Sequence, residues 1–296
     1  MHWTGKVTPT AFSIGKLNVA WYGLIITFAM VLALVIAIRR VKRINVSSDD
    51  MLMLFLIAIP IAIIAARLGY VLSNYEEYFV KPYDWKAFVN TIAIWNGGLT
   101  VMWGVPGGAV GALLWAKIYK KDAIKVADIV LPIVLLAQAI GRWGNFFNQE
   151  LYGQIITDPK LQWFPMAVYI ARKGAFYQAT FFYESFLNVI GFILLSFLVR
   201  RLDVKGFGSL AYFGWYCLVR GSLEFIRNES SVIDGKTSVN LVIVFCYVVV
   251  AICIGLIVFL ILRKKKRGGT IWYKKGIPPL PPEKKEEKKP EDLKIS

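Results

Sequence analysis

Residues 141–153 read Gly-Arg-Trp-Gly-Asn-Phe-Phe-Asn-Gln-Glu-Leu-Tyr-Gly and follow a hydrophobic stretch. Arg142 brings a planar fork of N–H donors, Asn145 and Asn148 bring amides, and Glu150 brings a carboxylate. Such groups are costly beside lipid, so a cluster of them at a membrane edge marks a functional site. A guanidinium fork bonds carboxylate or phosphate oxygens two at a time, so the chemistry to expect is capture of an anion. Further along, Arg220, Glu224 and Arg227 stand at i, i+4 and i+7, on one helix face. Arg67, Glu184 and Tyr22 also fall inside apolar segments. Of the intramembrane charges Arg67, Arg142, Arg220, Glu184 and Glu224, three are cationic and two anionic, so one positive charge is left over. Phosphate fits that surplus. The competing reading is a set of ion pairs that only fixes helix packing, and it weighs most for Arg67 and Glu224.

The elements that must position these groups are membrane helices. With 57% hydrophobic residues and a mean hydropathy of +0.54, a soluble domain of 296 residues could not hide its apolar surface. Segments near 18–38, 52–73, 91–116, 126–141, 176–199, 207–226 and 239–262 are expected to span the bilayer, where about 20 residues are needed. The fold class is therefore an all-α integral membrane protein of about seven transmembrane helices. Basic clusters follow alternate spans: Arg39 to Arg43, Lys117 to Lys125, Arg200 to Lys205, and Arg263 to Arg267. The positive-inside rule puts these on the cytoplasmic side, with the N-terminus outside and the C-terminus in the cytoplasm. The opposite loops carry Glu76, Glu77, Asp84, Glu150, Asp158, Glu229 and Asp234. No cleavable leader is expected in residues 1–17. The chain thus divides into an external segment 1–17, a membrane domain 18–263 and a basic, proline-rich tail 264–296 without a core of its own.

On this topology Tyr22, Arg67, Arg142, Glu184, Arg220 and Glu224 reach one depth, in the outer half of the bilayer, and the inner half carries no comparable set. They should face a shared cavity. The formal charge of +16 raises nucleic acid as a partner, but no basic soluble domain exists to bind it. Cys217, Cys246 and Cys253 lie in apolar runs and read as small buried hydrophobes. His2 is the sole histidine, which argues against a zinc site. Residues 97–111, starting at Gly97-Gly98, are rich in glycine and contain Pro106. Two readings stand: close helix packing, or a loosened helix whose N–H groups meet phosphate.

The run 141–153 resembles the G-R-x-G-N-x-x-N-x-E-x-x-G signature of the bacterial prolipoprotein diacylglyceryl transferase family. Trp21-Tyr22-Gly23, Ala66-Arg67 with Tyr70-Val71, Trp95-Asn96-Gly97-Gly98, Tyr183-Glu184 and Arg220-x-x-x-Glu224-x-x-Arg227 resemble its other motifs in order and spacing. The likeness covers Val19 to Leu262. It implies a multi-pass enzyme of the bacterial inner (plasma) membrane. Such an enzyme moves the diacylglyceryl group of phosphatidylglycerol to the lipobox cysteine of a prolipoprotein, releasing glycerol phosphate. It implies no metal or nucleotide cofactor, and as partners phosphatidylglycerol, lipobox segments and membrane lipid. Arg142, Arg220, Glu224 and Tyr22 become the expected catalytic groups. Arg67, Asn145, Asn148, Glu150, Gly153, Gly97, Gly98, Glu184 and Arg227 become the expected substrate-binding groups. Two departures stand out. Met102 occupies a place where the family often has histidine, and Gln178-Ala179 replace a frequent His-Pro. The site is therefore expected to work without a histidine base, with Met102 packed into its pocket. A seven-span transporter or flippase for an anionic lipid, or another headgroup transferase, are the alternatives.

Overall fold

The structure, a computed structural model, describes residues 7–15, 17–79, 85–93, 98, 100–227 and 237–273. Gly97, together with His2, Asp84, Trp95, Asn96, Leu99, Glu229, Asp234 and the chain past Tyr273, lies outside the described residues. An antiparallel hairpin, β1 (Thr10–Ile14) and β2 (Leu17–Ala20), leads into α1 (Trp21–Val41). There follow α2 (Ser48–Ser73), the short α3 (Tyr75–Phe79) and α4 (Trp85–Ile92), then α5 (Val101–Ile118) and α6 (Ala123–Asn148). A second hairpin, β3 (Ala167–Ile170) and β4 (Ala175–Gln178), precedes α7 (Thr180–Arg201), α8 (Phe207–Glu224) and α9 (Thr237–Lys266). The chain is thus mostly helical, as an all-α integral membrane protein requires, with two small hairpins added.

Among the described residues, five helical segments are long and apolar enough to cross a bilayer: Trp21–Ile44, Ser48–Ser73, Ala123–Asn148, Thr180–Arg201 and Leu241–Lys266. The remaining two expected spans correspond to α5 and α8, of 18 residues each. The expected span 91–116 is divided. α4 stops at Ile92, and Gly98 takes a φ of +72°, which an L side chain rarely adopts. The expected span 126–141 grows at both ends, because α6 starts where Asp122 accepts a hydrogen bond from the Lys125 N–H and runs on to Asn148. The expected span 176–199 loses its start to β4, since a short apolar run suits strand and helix equally. At the other end of the chain, α9 continues to Lys266, and the chain after it pairs with Leu202 and Asp203 through Trp272 and Ile271. The start of the expected tail is therefore tied to the bundle at Lys264, Ile271, Trp272 and Tyr273.

Helix α6 is the hub: α1, α7 and α8 all pack against it. On one flank, α2 and α5 form a close pair. A Cβ on Gly107 would lie 2.3 Å from the Ala65 Cβ, and one on Gly111 2.7 Å from the Ala58 Cα. Only glycine allows this approach, which gains dispersion contacts between backbones where lipid offers no hydrophobic drive. Helix α5 remains helical through Pro106. The geometry of the glycine-rich segment is thus that of helix packing.

Candidate functional site

The signature run forms the last two turns of α6 and the turn that ends it. Gln149 and Leu151 take positive φ, which breaks the helix, and the Glu150 N–H returns to the Asn145 carbonyl at 3.1 Å. The Glu150 carboxylate then accepts from the Asn145 amide at 2.8 Å and the Asn148 amide at 3.2 Å. Arg172, in the β3–β4 turn, donates to the exposed carbonyls of Asn148 and Gln149 at 2.9 Å each. A cation at this terminus satisfies orphan acceptors and opposes the helix dipole. Gly153 anchors the next stretch. Its N–H donates to the Gln178 carbonyl at 2.9 Å and it pairs with Arg227. A Cβ there would lie 2.8 Å from the Ile226 carbonyl oxygen. Gln178 thus stitches the turn.

Three helices supply the charges. Arg142 of α6 is ion-paired with Glu184 in the first turns of α7. Its other arm reaches the side-chain amide oxygen of Asn145, Oδ1, at 3.5 Å, the limit of a hydrogen bond. On α8, Arg220 is ion-paired with Glu224 one turn on. Glu184 and Glu224 are both buried, while the two guanidiniums keep part of their surface open. Arg227, just past α8, responds to all four charges. Burial and then Arg220 push its pKa down, Glu224 and Glu184 push it up, and Arg142 pushes it down. Guanidinium nevertheless keeps its proton in proteins. Tyr22 packs on Gly144, where a Cβ would lie 2.6 Å from its ring, and stands within electrostatic reach of Glu150 and Arg142. The neighbouring Trp21 stacks on Phe147 at 5.0 Å. Tyr22, Arg142, Asn145, Asn148, Glu150, Gly153, Glu184, Arg220, Glu224 and Arg227 are thus linked by contact, hydrogen bond or charge.

Arg67 and Gly98 form a different unit. Arg67 Nε donates to the Thr91 carbonyl and Nη1 to the Gly98 carbonyl, both at 2.9 Å, and Nη2 to that of Asn90. Its guanidinium also sits over the rings of Tyr70 and Tyr78 at 5.5 and 5.7 Å. It ties the last turn of α4 to Gly98, ahead of α5. A Cβ on Gly98 would lie 2.6 Å from Arg67 Nη1. Met102 departs from expectation as well. It is 79% exposed, because the face of α5 that packs on α2 carries Gly104, Gly107 and Gly111 instead.

Polar groups missed in the sequence continue down the same helices. Ser185 donates to the Ala139 carbonyl at 2.8 Å, and Gln138 donates to the Tyr212 hydroxyl at 3.1 Å. Asn188 is wholly buried, with no protein partner for its amide among the described residues. Tyr216 stands within electrostatic reach of Glu184, Arg142 and Arg220. Helical spacing was the available signal, since Asn188 is one turn from Glu184 and Tyr216 one turn from Arg220. The polar seam thus extends beyond the depth expected from the sequence.

A family model described as prolipoprotein diacylglyceryl transferase matches residues 9–259. Among bacterial relatives, a phosphatidylglycerol–prolipoprotein diacylglyceryl transferase of Oceanobacillus iheyensis is 36% identical over 236 residues, covering 78% of this chain and 80% of the relative. The protein of that name from Listeria innocua is 35% identical over 260 residues, covering 85% of this chain and 89% of its own. One from Clostridium botulinum is 36% identical over 226 residues, covering 76% and 87%. A match of this length, with the signature run folded into a cluster of guanidiniums and carboxylates, means that the chain belongs to the prolipoprotein diacylglyceryl transferase family.

Proposed function

We propose that this chain transfers the diacylglyceryl group of phosphatidylglycerol to the thiol of a prolipoprotein lipobox cysteine. The lipobox sulfur bonds to the glyceryl carbon, and the bond from that carbon to the phosphate oxygen breaks. The electron pair stays with the phosphate, glycerol phosphate leaves, and the thiol proton passes to a base. The observation that carries this reading is the charge balance of the site. Arg142, Arg220 and Arg227 act on one another together with Glu184 and Glu224, while Glu150 is taken up by the Asn145 and Asn148 amides. Among the described residues this group of guanidiniums therefore carries one more charge than the carboxylates paired with it, and that charge awaits an anion. A phosphodiester brings one, and its developing charge on departure is met by donors already in place. Arg142 and Arg220 hold the phosphate, Asn145 and Asn148 steady it and Glu150, and Glu184 and Glu224 orient the two guanidiniums. Tyr22, beside Glu150, relays the thiol proton. A thiol with a free pKa near 8.5 needs only modest help to ionise, and both substrates arrive in one membrane plane.

The topology that serves this chemistry has seven spans, formed by α1, α2, α5, α6, α7, α8 and α9, within a membrane domain 18–263. Residues 1–17 and the signature lie on the outer side of the bacterial plasma membrane, and the chain beyond α9 lies in the cytoplasm. Support comes from the alternating basic loops. A reporter inserted near Lys160 should read as external and one after Arg267 as cytoplasmic.

The test is transfer in vitro. Purified protein, phosphatidylglycerol labelled in its acyl chains and a lipobox peptide should yield labelled peptide and free glycerol phosphate. Movement of labelled lipid between leaflets with no labelled peptide would instead establish a flippase.

A further inference from the structure

A second cluster of arginines lies at the other end of the bundle. Between the end of α1, the start of α6, the end of α7 and the α7–α8 turn is a cavity of about 210 Å³. Arg40, Arg43, Lys125, Arg200 and Lys205 line it, and Asp128 and Asp203 are the carboxylates among its described lining residues. Asp128 and Arg142 are 14 residues apart on α6, so the two sites stand about 21 Å apart along that helix.

Both carboxylates are committed elsewhere. Asp128 accepts from the Gly206 N–H at 2.7 Å, the Ser209 N–H at 2.9 Å and the Ser209 hydroxyl at 2.8 Å, which caps α8. Asp203 is ion-paired with Lys264 at 2.7 Å. Lys205 has its own partner, Asp122, at 2.6 Å. Arg40 donates to the Ser196 hydroxyl at 2.8 Å and lies over the Phe192 ring at 5.0 Å, so it is fixed without a counter-charge. Arg200 and Arg43 act on Arg40 as like charges, and Arg200 acts on Arg43 in the same way.

A run of basic residues after a span is ordinarily a solvated face. Here the run is sorted by helix geometry. Arg39 and Lys42 are exposed, while Arg40 and Arg43, three apart, turn inward and line the cavity. The chain after α9 closes it. Tyr273 lines the cavity, its N–H donates to the Arg201 carbonyl at 3.1 Å, and the Asp203 N–H donates to the Ile271 carbonyl at 3.0 Å.

We propose that this cavity is a second anion site, which takes a phosphate group on the forks of Arg40, Arg43 and Arg200. Three guanidiniums lining one cavity, with no ion-paired carboxylate among the described residues, match the oxygens of one phosphate. The phosphate comes from the headgroup of an anionic lipid in the leaflet facing this end, or from a soluble phosphate. Occupancy neutralises the repelling arginines and ties α1 to the α7–α8 turn. The site does not depend on the transferase reading, since none of its residues belongs to the Arg142 cluster.

Hydrogen exchange of the full chain tests this, read on segments 201–209 and 268–273, which border the cavity and not the Arg142 site. The protein is placed in phosphatidylcholine nanodiscs, then in discs that also contain phosphatidylglycerol, then in phosphatidylcholine discs with inorganic phosphate at matched ionic strength. Slowing of these segments is expected to reach about tenfold at ten times the dissociation constant. Slowing with phosphatidylglycerol alone assigns a lipid headgroup, and slowing with inorganic phosphate assigns a soluble source. The Arg43→Gln/Arg200→Gln variant should lose the response, and Arg39→Gln/Lys42→Gln should keep it. No slowing of the wild-type segments by either probe, or equal responses in the two variants, would overturn the proposal. The wild-type arms decide the matter even if the cavity variant fails to fold.

Discussion

Arg142 meets a carboxylate on a neighbouring helix, whereas Arg67 meets three backbone carbonyls, two in the last turn of α4 and one at Gly98 ahead of α5. Both are arginines inside helices of a membrane protein, and both belong to motifs of one family. Their partners separate them. A backbone carbonyl is fixed by the fold, so an arginine bound to three of them holds structure. A carboxylate balances charge and leaves part of the fork open, which is what the proposed phosphate binding by Arg142 requires. The type of partner, more than burial or residue type, tells an anchoring arginine from a working one.

The largest expected effect follows from emptying the working pair. In an Arg142→Ala/Glu184→Ala variant no orphaned buried carboxylate remains, so the protein should insert and fold. Transfer should nevertheless fall by at least about 10²-fold, the loss expected for a donor aimed at developing charge. If the double variant kept wild-type turnover, the two regions would not differ as described. Arg67 should show the reverse balance. Arg67→Ala leaves three carbonyls without their donor, and each hydrogen bond from a charged group is worth about 1.5–3 kcal/mol. Thermal unfolding in detergent should drop well below that of the Arg142→Ala/Glu184→Ala protein. Arg67→Lys should give only partial rescue, since an ammonium cannot reproduce the fork. A catalytic loss with unchanged melting would move Arg67 into the working group.

Glycines sharpen the same contrast at smaller scale. Gly107→Val adds bulk where Ala65 already touches, and overpacking of this kind costs about 1–3 kcal/mol. Gly141 sits in the signature, yet nothing lies within 4 Å of a Cβ built there. Gly141→Ala should therefore raise stability by about 0.5–1 kcal/mol, the usual gain at a helical glycine with open space, and leave transfer intact. A heavy activity loss in Gly141→Ala would mean that substrate itself passes close to that backbone.

Much of this was legible in the sequence, for reasons particular to each element. Arg220 and Glu224 stand four apart on one helix, so their pairing follows from helical geometry alone. The Arg142–Glu184 pair joins residues 42 apart on different helices, and only the packing of α6 against α7 creates it. The carbonyl clamp of Arg67 depends on where α4 stops, which no periodicity announces. Gly141, Gly144 and the polar signature look like the end of a span, yet α6 runs through them because Tyr22 packs on Gly144 and Phe147 stacks on Trp21. Local propensity yields here to tertiary contact. The β3–β4 hairpin reads as loop plus span, because Phe176 and Tyr177 suit strand and helix alike. The basic cavity was hidden for a different reason. Its arginines look like ordinary topology signals until the chain after α9 folds back beside them.

The account rests on Arg142 recognising phosphate through its fork, and Arg142→Lys tests that most directly. Lysine keeps the charge and can keep a partner in Glu184, but presents a single ammonium. Steady-state transfer from phosphatidylglycerol to a lipobox peptide should then collapse in kcat, while the variant melts close to wild type. Near-normal kcat and KM in that variant would contradict bidentate recognition and reduce Arg142 to a counter-charge for Glu184.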